Sequence, residues 1–197
     1  MRTPYILAFG DSLVEGYGLR REQAFPARLQ AALCPDFPDV RVDNAGLSGD
    51  ISAGALARLP RVLSGLTAKP DLAIVELGAN DLIRGIPLPR TAANLDAIVG
   101  EIVRCDIAVL LARMEAPALL GRFGQRCSAI YGEIAARHGV GVHPFFPPGV
   151  FANPALCLPD RIHPNALGVD RIARAFAPAV RAVLARPDGD VAYATSC

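Results

Sequence analysis

The sequence predicts an α/β protein: an open, five-stranded parallel sheet with helices on both faces. Three observations predict it. Short apolar runs alternate with longer segments of helical period along the chain, which is the pattern of successive βαβ units. No repeat, low-complexity stretch or linker interrupts that alternation. With 197 residues, 52% of them hydrophobic, the chain can bury a sizeable core as one domain over residues 1–186, followed by a frayed tail at 187–197.

Strands are expected at 5–9, 40–44, 72–77, 107–111 and 140–145, where apolar residues cluster between turn formers. Helices are expected at 24–33, 51–66, 91–104, 122–138 and 165–185. Pro26 suits a first helical turn, Thr91 is placed to cap a helix after Pro89, and Gly139 follows His138 where a C-terminal glycine belongs. Right-handed crossovers then give a flavodoxin-like three-layer arrangement with strand order 2-1-3-4-5, and a site outside the carboxyl ends of the strands.

Charge excludes some classes of partner. The formal net charge is +1, the arginines are scattered and Lys69 is the only lysine, so no nucleic-acid surface is expected. No apolar run approaches the roughly 20 residues of a membrane span, so no stable membrane insertion is expected either. The strand at 5–9 begins too close to Met1 to leave room for an export leader. The expectation is a cytosolic protein, or a periplasmic one if a leader had been removed. Cys34, Cys105, Cys127, Cys157 and Cys197 are an odd number without metal-binding spacing, which fits reduced thiols rather than a disulfide framework.

Candidate chemistry collects at the ends of the expected strands. Gly10-Asp11-Ser12-Leu13 follows the first, Gly46 the second, Asn80 the third, and Asp160 with His163 lies after the fifth. Ser12 has two readings. It can cap the next helix through its hydroxyl, or act as a nucleophile if an imidazole takes its proton and a carboxylate orients that imidazole. Asp11 beside it reads as an acceptor for loop amides. Gly46 is either a turn glycine or one whose amide comes close to a bound carbonyl oxygen. Asn80 is either a turn residue or a neutral donor to an oxyanion, and Asp81 reads as a cap for the segment after it.

Of three histidines, His138 at a helix end and His143 in a strand read as structural. His163 has Asp160 three residues before it and a stiffening proline after it. No HExxH or Cys/His cluster suggests a metal, and hydrolysis on such a site needs no cofactor. Leu13 and the apolar series Leu82, Ile83, Ile86, Pro87 and Leu88 can line a groove for an acyl chain or aromatic group, or simply pack a loop.

These blocks, in this order and spacing, resemble the SGNH (GDSL) hydrolases, and most of all the bacterial arylesterase, thioesterase and lysophospholipase group. The similarity runs from about residue 5 to about residue 180 and includes Gly16-Tyr17-Gly18, Gly78-Ala79-Asn80-Asp81 and Leu82-Ile83-Arg84-Gly85. The resemblance implies Ser12 as nucleophile, His163 as general base, Asp160 as its orienting group, and an oxyanion hole from the Ser12 amide, the Gly46 amide and the Asn80 side chain. It implies a small-molecule ester as substrate. Ala79 departs from a frequent glycine, a change that should leave Asn80 in place. A carbohydrate acetyl esterase is the alternative within the family. A flavodoxin-like signalling receiver is the alternative outside it, and it lacks the lysine such a domain needs after the fifth strand.

Overall fold

The computed structural model describes residues 3–116 and 118–185. The tail expected at 187–197, with Cys197, lies outside the described residues. In chain order the elements are β1 (Tyr5–Gly10), α1 (Ser12–Glu15), α2 (Phe25–Leu33), β2 (Arg41–Gly46), α3 (Ser52–Ser64) and β3 (Leu72–Glu76). They continue with α4 (Ala79–Ile83), α5 (Leu88–Arg104), β4 (Ala108–Arg113), α6 (Gly121–His138), β5 (Gly141–Pro144) and α7 (Ala166–Leu184).

The five strands are all parallel and ordered β2-β1-β3-β4-β5, the flavodoxin-like order expected. Every residue of β1 and β3 is buried, as in strands covered on both faces. The edge strand β2 has Arg41 exposed and Val42 buried.

Alternation along the strands feeds two cores. On one face Ile6, Ala8, Leu72 and Ile74 meet α2 and α7 through Phe25, Leu29, Ile172 and Phe176; on the other Leu7, Phe9, Ala73 and Val75 meet α3, α5 and α6 through Leu59, Leu95, Ile98 and Tyr131. Phe25 packs edge-on against Phe145 and Phe176 at 5.1 and 5.6 Å between ring centroids. Truncating either fully buried partner, Phe145 or Phe176, costs about 3–5 kcal/mol.

Several local expectations are corrected. Helix α5 begins at Leu88, with Pro87 at its N-cap, so Thr91 does not cap it. Thr91 is buried one turn in, and its hydroxyl donates to Asp81 at 3.2 Å. Asp81 does not cap the segment after it either: its carboxylate accepts the Ser52 amide at 2.8 Å and so caps α3, whose own N-cap, Ile51, has no side-chain acceptor. Two short helices, α1 and α4, occupy the turns in which Ser12 and Asn80 were expected. At α1 the cap is Asp11, whose Oδ1 accepts the Leu13 amide at 3.0 Å. Leu13, expected in a groove, is buried in the core beside α2.

Candidate active site

Ser12, Asn80, Asp160 and His163 come together at the carboxyl edge of the sheet. Ser12 opens α1 directly after β1, on a turn so tight that the residue is only 8% exposed. His163 arrives from the loop before α7 and places Nε2 at 2.9 Å from Ser12 Oγ. On the other side of the ring, Nδ1 lies 2.7 Å from Asp160 Oδ2.

The Asp160–His163 loop is built around its carboxylate. Asp160 Oδ1 accepts the amides of Ile162 at 2.9 Å and His163 at 3.0 Å, and Arg161 between them sits in the left-handed region at φ 60°. Such strain in a non-glycine residue persists only where surrounding contacts hold it. Here it turns His163 back towards Ser12. The hydrogen bond from His163, then that from the Ile162 amide, holds the Asp160 carboxyl down to about 2. Tyr17 stands against the imidazole, its ring centroid 4.5 Å away.

His138 and His143 are elsewhere. His138 bonds Asp96 at 2.9 Å. His143 bonds the Pro144 carbonyl and packs on Phe176, and burial lowers its affinity for a proton.

The backbone amides at the site differ from the sequence expectation in one respect. The Gly46 amide donates to the Asn44 side chain at 2.9 Å, which occupies it. Its lack of a Cβ serves packing: a methyl there would stand 2.1 Å from the Glu15 nitrogen, so the glycine lets the end of β2 pass α1. Three residues on, the Gly49 amide has no hydrogen-bond partner among the described residues, and neither has that of Ser12. Gly49 adjoins Asp50, to whose carbonyl the Asn80 Nδ2 donates at 2.9 Å. The same nitrogen donates to Asp11 Oδ2 at 3.0 Å. The sequence signal that points to Gly49 is the second glycine of Gly46-Leu47-Ser48-Gly49.

Side chains remote in sequence hold this loop. Arg58 of α3 bonds Asp50 at 2.7 Å and the carbonyls of Ala45 and Gly10 at 3.0 and 2.9 Å, and its guanidinium lies 4.2 Å over the Phe9 ring. Glu15 accepts the Ser48 amide at 2.9 Å and also the Ser48 hydroxyl. Arg84 donates to the Gly49 carbonyl at 2.7 Å.

An apolar pocket adjoins Gly78, two residues before Asn80. Leu82, Ile86, Leu88, Met114, Phe123 and Ile130 line it. Gly78 has to be glycine, since a Cβ would meet the Tyr131 hydroxyl at 2.3 Å and its φ is +115°. The open space at the pocket centre is about 10 Å³, room for one water at most. Ile83, expected with this group, is 66% exposed and outside it. A larger space of about 520 Å³ lies beyond β4, among Arg113, Glu115, Gly121, Gln125 and Ser128. Cys34, Cys105, Cys127 and Cys157 are free thiols. No helix among the described residues is long and apolar enough to cross a membrane.

Fold and site together define an α/β hydrolytic enzyme. The chain belongs to the GDSL-like lipase/acylhydrolase family, whose model matches residues 8–171. It is 35% identical over 180 residues to the esterase TesA of Pseudomonas aeruginosa, covering 91% of this chain and 89% of that one. It is 36% identical over 161 residues to the thioesterase 1/protease 1/lysophospholipase L1 of Escherichia coli, covering 81% and 75%. The crystal structure of AlinE4, a SGNH-hydrolase family esterase, superposes with a TM-score of 0.77 at 40% identity, over 94% of this chain and 99% of that one.

Proposed function

We propose that this chain is a serine ester hydrolase working through an acyl-enzyme on Ser12, with His163 as general base and acid and Asp160 as the group that orients and charges it. The observation that carries this reading is the hydrogen-bonded series Ser12 Oγ, His163 Nε2, His163 Nδ1, Asp160 Oδ2, at 2.9 and 2.7 Å. A serine hydroxyl is a weak nucleophile until a base takes its proton. The Asp160 carboxylate accepts the Nδ1 hydrogen, so Nε2 is left as the lone pair facing Ser12.

In the first half-reaction Ser12 Oγ bonds to the ester carbonyl carbon while its proton passes to His163. The resulting oxyanion is met by the Ser12 amide, the Gly49 amide and the Asn80 side chain; Gly49 replaces Gly46 because the Gly46 amide is already taken. Both hydrogens of Asn80 Nδ2 have acceptors in the free enzyme. The bond to the Asp11 carboxylate is charge-assisted and the stronger, so the hydrogen now given to the Asp50 carbonyl is the one that turns to the oxyanion. His163 then protonates the leaving oxygen or sulfur, the acyl group stays on Ser12, and a water activated by the same imidazole releases the acid.

The acyl side is apolar. Leu82, Ile86, Leu88, Met114 and Phe123 suit an apolar acyl or aryl group. With so little open space, the lining has to move to admit an acyl group, and further for a longer chain.

A fluorophosphonate probe tests the assignment of the nucleophile. A single adduct mapped by mass spectrometry to Ser12, and lost in Ser12→Ala, is expected. Labelling at another residue would remove Ser12 from the mechanism.

A further inference from the structure

Two carboxyl groups are buried side by side beneath Ser12. The parallel register sets Gly10 of β1 against Glu76 of β3, so Asp11 and the Glu76 side chain meet just past the sheet edge. Each is 1% exposed. Asp11 receives a donor on both oxygens, the Leu13 amide on Oδ1 and Asn80 Nδ2 on Oδ2. Glu76 shares a hydrogen bond with the Asp11 side chain and takes one from the Asp11 backbone amide, while its Oε2 has no partner. Glu76 faces no cation, and the one near Asp11 is His163 when its ring is protonated. Arg58 is engaged by Asp50 and two carbonyls, the Tyr131 hydroxyl donates to the Leu77 carbonyl at 2.7 Å, and Asp50 adds negative charge near Asp11.

Two touching carboxylates cannot both stay ionised out of water. Asp11, with donors on both oxygens, is the member equipped to keep the charge. Glu76, with an unpartnered oxygen, is the member equipped to keep the proton and give its hydrogen to Asp11. Burial, then the charge of Asp11, pushes the Glu76 carboxyl well above the ordinary carboxylate range.

We propose that Glu76 is a positioning residue for ester hydrolysis: as a neutral acid it donates to Asp11, and the Asp11 carboxylate in turn fixes which end of the Asn80 amide faces the reacting oxygen. An asparagine side chain can present either its oxygen or its NH₂. Facing an ionised Asp11 and the Asp50 carbonyl, only the NH₂ end fits. Were the proton on Asp11 instead, its hydroxyl could bond the Asn80 oxygen, and the amide would turn an acceptor towards the developing negative charge. The role rests on the reading of Asn80 as an oxyanion donor.

Steady-state kinetics on a p-nitrophenyl ester test the proposal in Glu76→Met, Glu76→Gln, Asn80→Ala and the double variant Glu76→Met/Asn80→Ala. Glu76→Met is expected to lower kcat about 10- to 100-fold, less than loss of the donor itself, with KM within about twofold. Glu76→Gln, which keeps a neutral donor of the same shape, restores kcat to within about threefold of the parent. In the Asn80→Ala background the Met substitution has little further effect, as expected for residues acting in series. If Glu76→Met does not fold, Glu76→Asp, which withdraws the donor by one methylene, is read in its place. Unchanged kcat in the Met variant, equal losses in Met and Gln, or full additivity with Asn80→Ala would each overturn the role of Glu76. Unchanged kcat in Asn80→Ala alone would instead overturn the oxyanion assignment on which it rests.

Discussion

His163 meets Ser12 across 151 positions of sequence, Nε2 to Oγ at 2.9 Å, because β1 and the loop before α7 end at the same edge of the sheet. No other histidine is near: His138 and His143 are held by Asp96 and Pro144. Ser12→Ala and His163→Ala are therefore expected to keep the fold and lose turnover on p-nitrophenyl esters by about 10³-fold or more. Because the two groups act as a unit, the double variant should be little worse than either single one. Near-parental turnover in either single variant contradicts the assignment.

The proposed oxyanion donor Asn80 and the packing glycine Gly46 separate by what their variants change. Asn80→Ala should lower kcat by about 10²- to 10³-fold with a smaller change in KM, since its hydrogen matters most where negative charge develops. A change in KM alone would make Asn80 a ground-state binding residue. Gly46→Ala should instead show first as lost thermal stability, because its methyl would run into the backbone of α1.

Arg58 joins three chain segments that surround the site, and its bridge to Asp50 is largely buried, with side-chain exposures of 20% and 6%. Removing one partner of a fully buried pair costs about 3–5 kcal/mol. Arg58→Leu, at a partly open site, is expected to cost about 2–3 kcal/mol, lowering Tm by roughly 5–10 °C in a chain of this size. Calorimetry measures it. A Tm unchanged to within a degree would mean that the Gly46–Asp50 loop is held without it.

The pocket proposed for the acyl group is closed chiefly by side chains, and Phe123, 48% exposed at its rim, is a large one. Phe123→Ala should admit longer acyl chains, with each newly buried methylene worth about 0.8 kcal/mol. The ratio of kcat/KM for octanoate over acetate p-nitrophenyl esters is expected to rise at least about tenfold. A fall in both rates without a change in their ratio would place the acyl group elsewhere, the space beyond β4 being the next candidate.

The strands were legible because each is a short apolar run closed by turn residues, and a parallel sheet buries both faces of its inner strands. The Asp160–His163 pair was legible because three residues is the span of one loop. What escaped the sequence depends on groups that only the fold brings together. Asp81 reads as a local cap, yet its carboxylate caps α3 from 29 positions away. Glu76 reads as the polar end of β3, and nothing in its neighbours announces a second buried carboxyl. Gly46 is different. The Asn44 side chain that captures its amide is two residues upstream, so the competing turn was present in the sequence, and only the folded loop shows that it takes the amide.

The pH profile separates Asp160 from His163. Asp160 is held down to about 2 by the hydrogen bond from His163 and the Ile162 amide, so it is ionised throughout the range in which esters can be assayed. The fall of kcat/KM in acid therefore does not come from Asp160: a protonated His163 ring cannot accept hydrogen from Ser12, and protonation of Asp11, whose carboxyl burial holds above its ordinary range, would release Asn80. A depressed carboxyl also stabilises the fold above its ordinary range and loses that contribution as pH falls towards about 2, but its side chain is 35% exposed, so solvent screening leaves little of it. The main effect of Asp160→Asn is on catalysis. It removes the charge that favours imidazolium, so the acid limb should move to lower pH while the plateau rate drops by about 10²-fold or more, as the ring loses both its orienting acceptor and the stabilisation of its charged form. Melting temperature should change little between pH 6 and 8. A profile and plateau identical to the parent would leave catalysis to Ser12 and His163 as a dyad, with Asp160 serving only to fold its loop.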